Sequence, residues 1–153
     1  MVAADRRVIP VLIPEDYVPD LAVRLGLYRR LADLESDSEV EAAGAELVDR
    51  FGKLPSEVET LLKVVAIKAL CRRANVERIE AGSKGAVIAF RDNKFDNAEG
   101  LLAWIAANAP LAKIRPDQKI VWLEDWHDAD ARLAGARELL ENLVRIAERA
   151  KAA

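Results

Sequence analysis

The sequence predicts an α+β fold with a helical N-terminal half followed by hairpin, helix, hairpin and helix, in which helices pack a small antiparallel sheet. Apolar residues recur at helical spacing as far as about residue 74, at a period of two from Val76, and again at helical spacing from about Asp128. A chain of 153 residues is expected to form one domain. We place that domain at residues 19–153, after an arm or linker over residues 1–18.

The arm contains an apolar, β-branched stretch over residues 8–13. Because Pro10 has no amide hydrogen for a sheet, this stretch is at most an edge strand or an extended arm. After Pro14 and Pro19, leucines and Tyr28 recur at helical spacing. They predict a first helix over about residues 19–34.

The next two helices have recognisable starts. A serine followed three residues later by glutamate is the spacing of a capping box, and it occurs at Ser36–Glu39, Ser38–Glu41 and Ser56–Glu59. The first two pairs predict a second helix that begins near residues 37–39 and stops at Gly52. The third pair predicts a strongly apolar third helix that ends near residues 74–75.

Two hairpins and two helices are predicted in the second half. Strands over residues 76–81 and 86–90 flank a Gly-Ser-Lys-Gly turn, and shorter strands are expected at residues 112–115 and 119–123. Between the hairpins, Asp96 and Glu99 have the spacing to cap a fourth helix that closes before Pro110. The final helix begins at about Asp128 and runs almost to the end.

The composition argues against several classes of protein. The 23 basic and 26 acidic residues give a formal charge of −3, which does not indicate a nucleic-acid binder as a whole. No apolar run approaches the roughly 18 residues of a membrane span, and the N-terminus does not suit a secretory signal, so we expect a cytoplasmic protein. The single Cys71 excludes an internal disulfide, and its place in an apolar pattern predicts a core residue.

The chain lacks a recognisable catalytic set. The nearest string to a phosphate loop, at residues 52–54, lacks the glycine spacing and the Ser/Thr of such loops, and the glycines at 82–85 join two strands. The acidic run around His127, residues 124–130, suits the start of a helix better than a metal site, although the metal alternative stays open. We therefore expect no catalytic residues, no metal and no cofactor in this domain.

Glu46, Asp49 and Arg50 lie within one turn of the second helix. Glu46 and Arg50 are four residues apart, which allows a simple pair within the helix. Alternatively, Glu46 and Asp49 form an acidic knob that accepts arginines from a partner. The residues alone leave both interpretations open.

A basic segment follows the third helix. Residues 61–95 carry eight basic and three acidic side chains, among them Arg72, Arg73, Arg78 and Lys84. Such a block usually forms solvated helix faces, but it could also follow a nucleic-acid backbone. Few aromatic residues interleave it, so stacking on single strands has weak support.

Four strings in order resemble the C-terminal domain of bacterial transcription-repair coupling factors, the Mfd family. They are IPEDYVPD at residues 13–20, RLGLYRRLA at 24–32, ELVDRFGKLP at 46–55 and AGSKGAVI at 81–88. The resemblance covers about residues 8–150. The complete proteins of this family are ATP-driven DNA translocases that displace RNA polymerase stalled at a lesion and recruit UvrA through a UvrB-like N-terminal module.

The resemblance implies a regulatory role for this chain. The family's C-terminal domain is thought to dock on the UvrB-like module of the same polypeptide, which masks the UvrA-binding surface and restrains the motor. Glu46 and Asp49, with Arg50 beside them, match the charged positions of the family's string, and the resemblance implies that they contact that module. ATP and Mg²⁺ belong to the motor, which this chain lacks. An accessory DNA-contacting domain that uses residues 72–94 is the alternative.

Overall fold

The computed structural model describes residues 12–152, in which five α-helices and a four-stranded sheet form the α+β fold that the sequence predicts. Residues 8–11 of the predicted edge strand lie outside the described residues. The contacts divide the described chain into two compact units, residues 12–69 and residues 70–152. The expected domain boundary near residue 18 stays a prediction.

Helix α1 (Leu21–Ala32) begins after Asp20, whose carboxylate accepts a hydrogen bond from the Val23 amide at 3.0 Å. This cap explains why the helix starts two residues later than the apolar spacing predicts.

Helix α2 (Asp37–Phe51) begins after Ser36, whose hydroxyl accepts from the amide of Glu39 at 3.2 Å. The Glu39 carboxylate in turn accepts from the amide of Glu35, so the first of the two candidate serines sets the helix start. Gly52 ends α2 at a φ of 92°, as the sequence predicts.

Helix α3 (Ser56–Arg73) does not begin with the capping box that the sequence predicts. Ser56 is the first helical residue, and its hydroxyl donates to the Glu57 carboxylate. The carbonyl of Pro55 accepts instead from the amides of Val58 and Glu59, at 3.0 and 3.1 Å. The proline therefore starts the helix one residue earlier than a serine cap would.

Two tyrosines fasten the segment before α1. The hydroxyl of Tyr28 accepts from the amide of Ile13 at 2.5 Å, and that of Tyr17 donates to the carbonyls of Leu47 and Gly52. The IPEDYVPD string therefore holds the chain against α1 and α2. The unit's buried core consists of aliphatic residues from this segment and its helices: Ile13, Val18, Leu27, Leu31, Val40, Ala43, Leu47, Val58, Leu61, Val65 and Ala66.

The sheet of the second unit contains β1 (Val76–Gly82), β2 (Gly85–Phe90), β3 (Ala112–Ile114) and β4 (Ile120–Leu123) in the order β1-β2-β4-β3. All pairs are antiparallel, which confirms both predicted hairpins. Ile79, Ile88 and Ile120 lie opposite one another on three adjacent strands and are fully buried. They form the apolar row of one sheet face.

Helices α4 (Ala98–Ala107) and α5 (Ala129–Ala152) complete this unit. α5 packs against β1 and β2, and α4 against α5 and β3. The cap of α4 is Asn97 rather than Asp96: its side-chain oxygen accepts from the Gly100 amide, and its nitrogen donates to the carbonyl of Ile146. Asp128 accepts from the amide of Ala131 at 2.8 Å, in agreement with the predicted start of α5.

Cys71 is buried, as its apolar context predicts. The three tryptophans occupy two environments. Trp126 is buried, with its indole over Gly135, while Trp104 and Trp122 are half-buried and stack with ring centroids 5.5 Å apart. No helix within residues 12–152 is both long and apolar enough to cross a membrane.

Candidate docking surface

Helix α2 carries the charged residues that the sequence singles out. Its buried side includes Val40 and Leu47, and Glu46, Asp49 and Arg50 lie outside this buried stripe. Because one helical turn separates these three residues, they share one side of α2. With Arg30 of α1 they form a surface of two cations and two anions, which we call the α2 charged surface.

Arg30 is the principal partner of Glu46. Its Nη1 donates to Oε1 at 3.1 Å and its Nη2 to Oε2 at 2.5 Å, so a planar guanidinium meets both carboxylate oxygens. The side chains are 53% and 41% exposed, respectively, so water screens the pair. No local spacing in the sequence marks this contact, because it joins two helices through residues 16 positions apart.

The ion pair moves the pKa of both groups. The hydrogen bonds from Arg30 hold the pKa of the Glu46 carboxyl below its usual value, and the charges of Arg30 and Arg50 act in the same direction. The same hydrogen bonds raise the pKa of the Arg30 guanidinium. Glu46 is therefore ionised and already engaged with a cation at neutral pH.

Arg50 makes two contacts within its own helix. Its guanidinium carbon lies 4.9 Å from the centre of the Phe51 ring, and its Nη1 lies 3.8 Å from Oε1 of Glu46. The pair within α2 that the sequence allows is therefore present but long, and Arg30 makes the closer contact with Glu46.

Asp49 differs from its neighbours. Within residues 12–152 it has no ion-pair or hydrogen-bond partner, and it is exposed. Of the two carboxylates that the sequence singles out, Asp49 alone keeps its oxygens available to an incoming cation.

A small apolar crevice adjoins the ion pair. Arg30 and Glu46 line it together with aliphatic residues of α1 and α2, and its volume is about 10 Å³. This is close to the minimum for one water molecule, so the crevice does not hold a metabolite.

Three of the four basic side chains that the sequence singles out are paired with carboxylates. Arg73 contacts Glu148 at 2.5 Å, Arg78 contacts Glu80 at 3.1 Å, and Lys84 contacts Asp125 at 3.6 Å. Arg72 also has an interaction partner. All four lie in the second unit, and the three ion pairs offset part of the positive charge that would attract a phosphate backbone.

The acidic side chains of residues 124–130 make separate contacts and do not converge on one site. Glu124 accepts from the Trp122 indole at 2.9 Å, Asp125 pairs with Lys84, and Asp128 caps α5. Across residues 12–152, no group of three or more His, Cys, Asp or Glu side chains is arranged to hold a metal ion.

Comparison with known proteins identifies the family. The model of the TRCF domain family matches residues 8–101. The chain belongs to the TRCF domain family. It is 44% identical over 114 residues to the transcription-repair-coupling factor of Rickettsia bellii, covering 74% of this chain and 10% of that protein. It is 41% identical over 133 residues to that of Rickettsia conorii, covering 87% and 12%.

A solved structure shows the same fold. The crystal structure of the C-terminal domain of a transcription-repair coupling factor superposes with a TM-score of 0.75 at 23% identity, covering 93% of this chain and 91% of that one. The TRCF resemblance that the four strings carry is thus confirmed. The chain spans only about an eighth of the length of the curated relatives, which are therefore much larger proteins.

Proposed function

We propose that this TRCF domain is a non-catalytic, autoinhibitory module of a transcription-repair coupling factor. It docks on the UvrB-like N-terminal module of the same polypeptide, masks UvrA binding, and restrains the DNA translocase that removes stalled RNA polymerase at lesions. Cytoplasmic DNA repair is the setting that this role requires. The proposal follows the family, whose model matches residues 8–101, and the string ELVDRFGKLP of this chain includes Glu46 and Asp49.

The observation that carries the proposal is the exposed position of Asp49 beside the Glu46 carboxylate on one side of α2. A contact meant to open must leave a surface that is stable in water, and reversible contacts within a chain are usually polar and modest in area. The α2 charged surface has this character. A coupling free energy of a few kcal/mol suffices to operate such a switch. About 5.5 kcal/mol shifts the ratio of undocked to docked molecules from 1:99 to 99:1.

The test is a calorimetric titration of this chain with the UvrB-like module at moderate salt. We expect saturable binding that UvrA competes away. The double variant Glu46→Arg with Asp49→Arg should weaken it about tenfold or more, because like charges would then oppose each other across the contact.

The matched control reverses two other exposed glutamates, Glu41→Arg with Glu138→Arg, and changes the net charge equally. It should bind within about twofold of the wild type, since single surface charges act weakly at a distance. Equal affinity of the wild type and the Glu46/Asp49 variant, with circular dichroism showing both folded, would refute this docking site.

The DNA-contacting alternative has less support. Four of the six basic residues at positions 72–94 are engaged in contacts within the chain, and the formal charge of the whole is −3. Electrostatic binding to a duplex requires cations that can replace its counterions. The autoinhibitory role is therefore the function we put forward.

A further inference from the structure

We propose that Arg30 is an internal competitor for the Glu46 carboxylate, so that a docking partner meets Asp49 first and gains Glu46 only by displacing Arg30. This inference rests on the proposed function, because it concerns the same surface. It assigns the two carboxylates different roles and gives a role to a residue on α1 outside the ELVDRFGKLP string.

The geometry of the Glu46 carboxylate makes Arg30 a competitor for any incoming arginine. Both oxygens of Glu46 accept from Arg30, at 3.1 and 2.5 Å, and Oε1 also faces Arg50 at 3.8 Å. An arginine of the partner prefers the same planar, two-point contact with a carboxylate. It reaches that arrangement on Glu46 only after Arg30 has withdrawn.

The charges of the α2 charged surface favour Asp49 as the first contact. On the α2 charged surface, the two cations Arg30 and Arg50 balance the two anions Glu46 and Asp49. The two arginines therefore repel an approaching arginine, while the two carboxylates attract it. The strongest local attraction comes from Asp49, because it is unpaired. The surface directs a partner to one carboxylate rather than presenting an acidic knob.

The exchange is energetically accessible. The side chains of Arg30 and Glu46 are 53% and 41% exposed, so the released groups return to water. An exposed ion pair of this kind changes an equilibrium constant by about two- to fivefold. Arg30 therefore lowers the docking affinity without preventing docking, which suits a contact that has to open.

The experiment compares Arg30→Gln with Arg29→Gln in titrations of the 153-residue chain with the UvrB-like module. Arg29 is the matched control, since it is exposed on the same helix, carries the same charge, and has no ion-pair or hydrogen-bond partner within residues 12–152. We expect Arg30→Gln to tighten docking about two- to fivefold and Arg29→Gln to change it less. In a Glu46→Gln background, the effect of Arg30→Gln should disappear, because no ion pair remains to compete.

A second measurement follows Glu46 itself. In a carboxyl-detected NMR titration of the free chain, Arg30→Gln should raise the pKa of Glu46 towards its ordinary value, while Arg29→Gln should leave it depressed. This shift reports the loss of the contact independently of any partner.

Three outcomes decide between the possibilities. Weaker docking of Arg30→Gln would overturn the competitor role, because it would show that Arg30 binds a carboxylate of the partner. Equal tightening by Arg29→Gln would also overturn it, as a net-charge effect. Absence of saturable binding in the wild type and every variant would refute the proposed function, and the competitor role with it.

Discussion

At the scale of single residues, Gly85 shows how a family string can be structural. It follows the two-residue turn between β1 and β2, with a φ of 117°, and a Cβ at this position would overlap the backbone carbonyl of Trp122 in β4. Both the conformation and the close approach require glycine. Gly85 of the AGSKGAVI string therefore permits a close strand contact, and the lysine of the string lies in the turn.

Gly85→Ala should lower the free energy of unfolding by about 3 kcal/mol, because the overlap is with backbone atoms that cannot rotate away. Gly82→Ala is the matched control in the same hairpin, since a Cβ there would meet no atom within 4 Å. It should change stability by no more than about 1 kcal/mol. Urea unfolding followed by circular dichroism measures both, and similar losses would contradict the steric explanation.

At the scale of elements, Asn75 fastens the turn between α3 and β1 to the loop after β2. Its side-chain nitrogen donates to the carbonyls of Arg91 and Lys94 at 3.1 and 2.8 Å, and its carbonyl accepts from the Arg91 amide at 2.9 Å. Its φ of 57° is left-handed, a conformation that asparagine tolerates better than most residues. Part of the basic segment is thus held in place by one amide side chain.

Two substitutions of Asn75 separate the contributions of its side-chain hydrogen bonds and of its left-handed backbone to stability. Asn75→Gly keeps the left-handed backbone but loses both side-chain bonds, for a loss of about 1 kcal/mol at these exposed sites. Asn75→Ala also strains the backbone and should cost about 2 kcal/mol. In thermal or urea unfolding, the wild type should therefore be more stable than Asn75→Gly, and Asn75→Gly more stable than Asn75→Ala. Wild-type stability in both variants would refute the fastening role.

At the scale of the whole molecule, charged side chains of both units take part in local ion pairs, and the formal charge is only −3. The α2 charged surface contains equal numbers of cations and anions, and three side chains of the basic segment, Arg73, Arg78 and Lys84, are paired with carboxylates. Opposite charges that lie close together have a weak field beyond about a Debye length.

We therefore expect no shift of duplex DNA by this chain at about 0.15 M salt, and only weak binding as the salt is lowered. An electrophoretic series at several salt concentrations measures this directly. Strong binding with a steep salt dependence, reduced by Arg72→Gln with Lys84→Gln but not by Arg29→Gln, would instead support the DNA-contacting alternative.

Much of the fold follows from the sequence, because its signals are local. Apolar spacing predicts all five helices, and the period of two with its turn residues predicts both hairpins. Errors are confined to the ends of elements: the first helix is predicted to run to about residue 34 but stops at Ala32, and several helix starts are shifted. The starts shift for a physical reason. Two nearby residues compete for the same free amides, and contacts elsewhere decide between them: Asn97 replaces Asp96 because its amide also reaches Ile146.

The sequence also determines one part of the α2 charged surface, and tertiary packing determines the other part. The ELVDRFGKLP string places Glu46, Asp49 and Arg50 on one side of a helix, and this much the sequence determines, since helical geometry depends on spacing alone. That Arg30 occupies both oxygens of Glu46 while Asp49 stays unpaired was decided only by the packing of α1 beside α2. Contacts between separate elements depend on how their faces meet, and no local spacing in the chain encodes that.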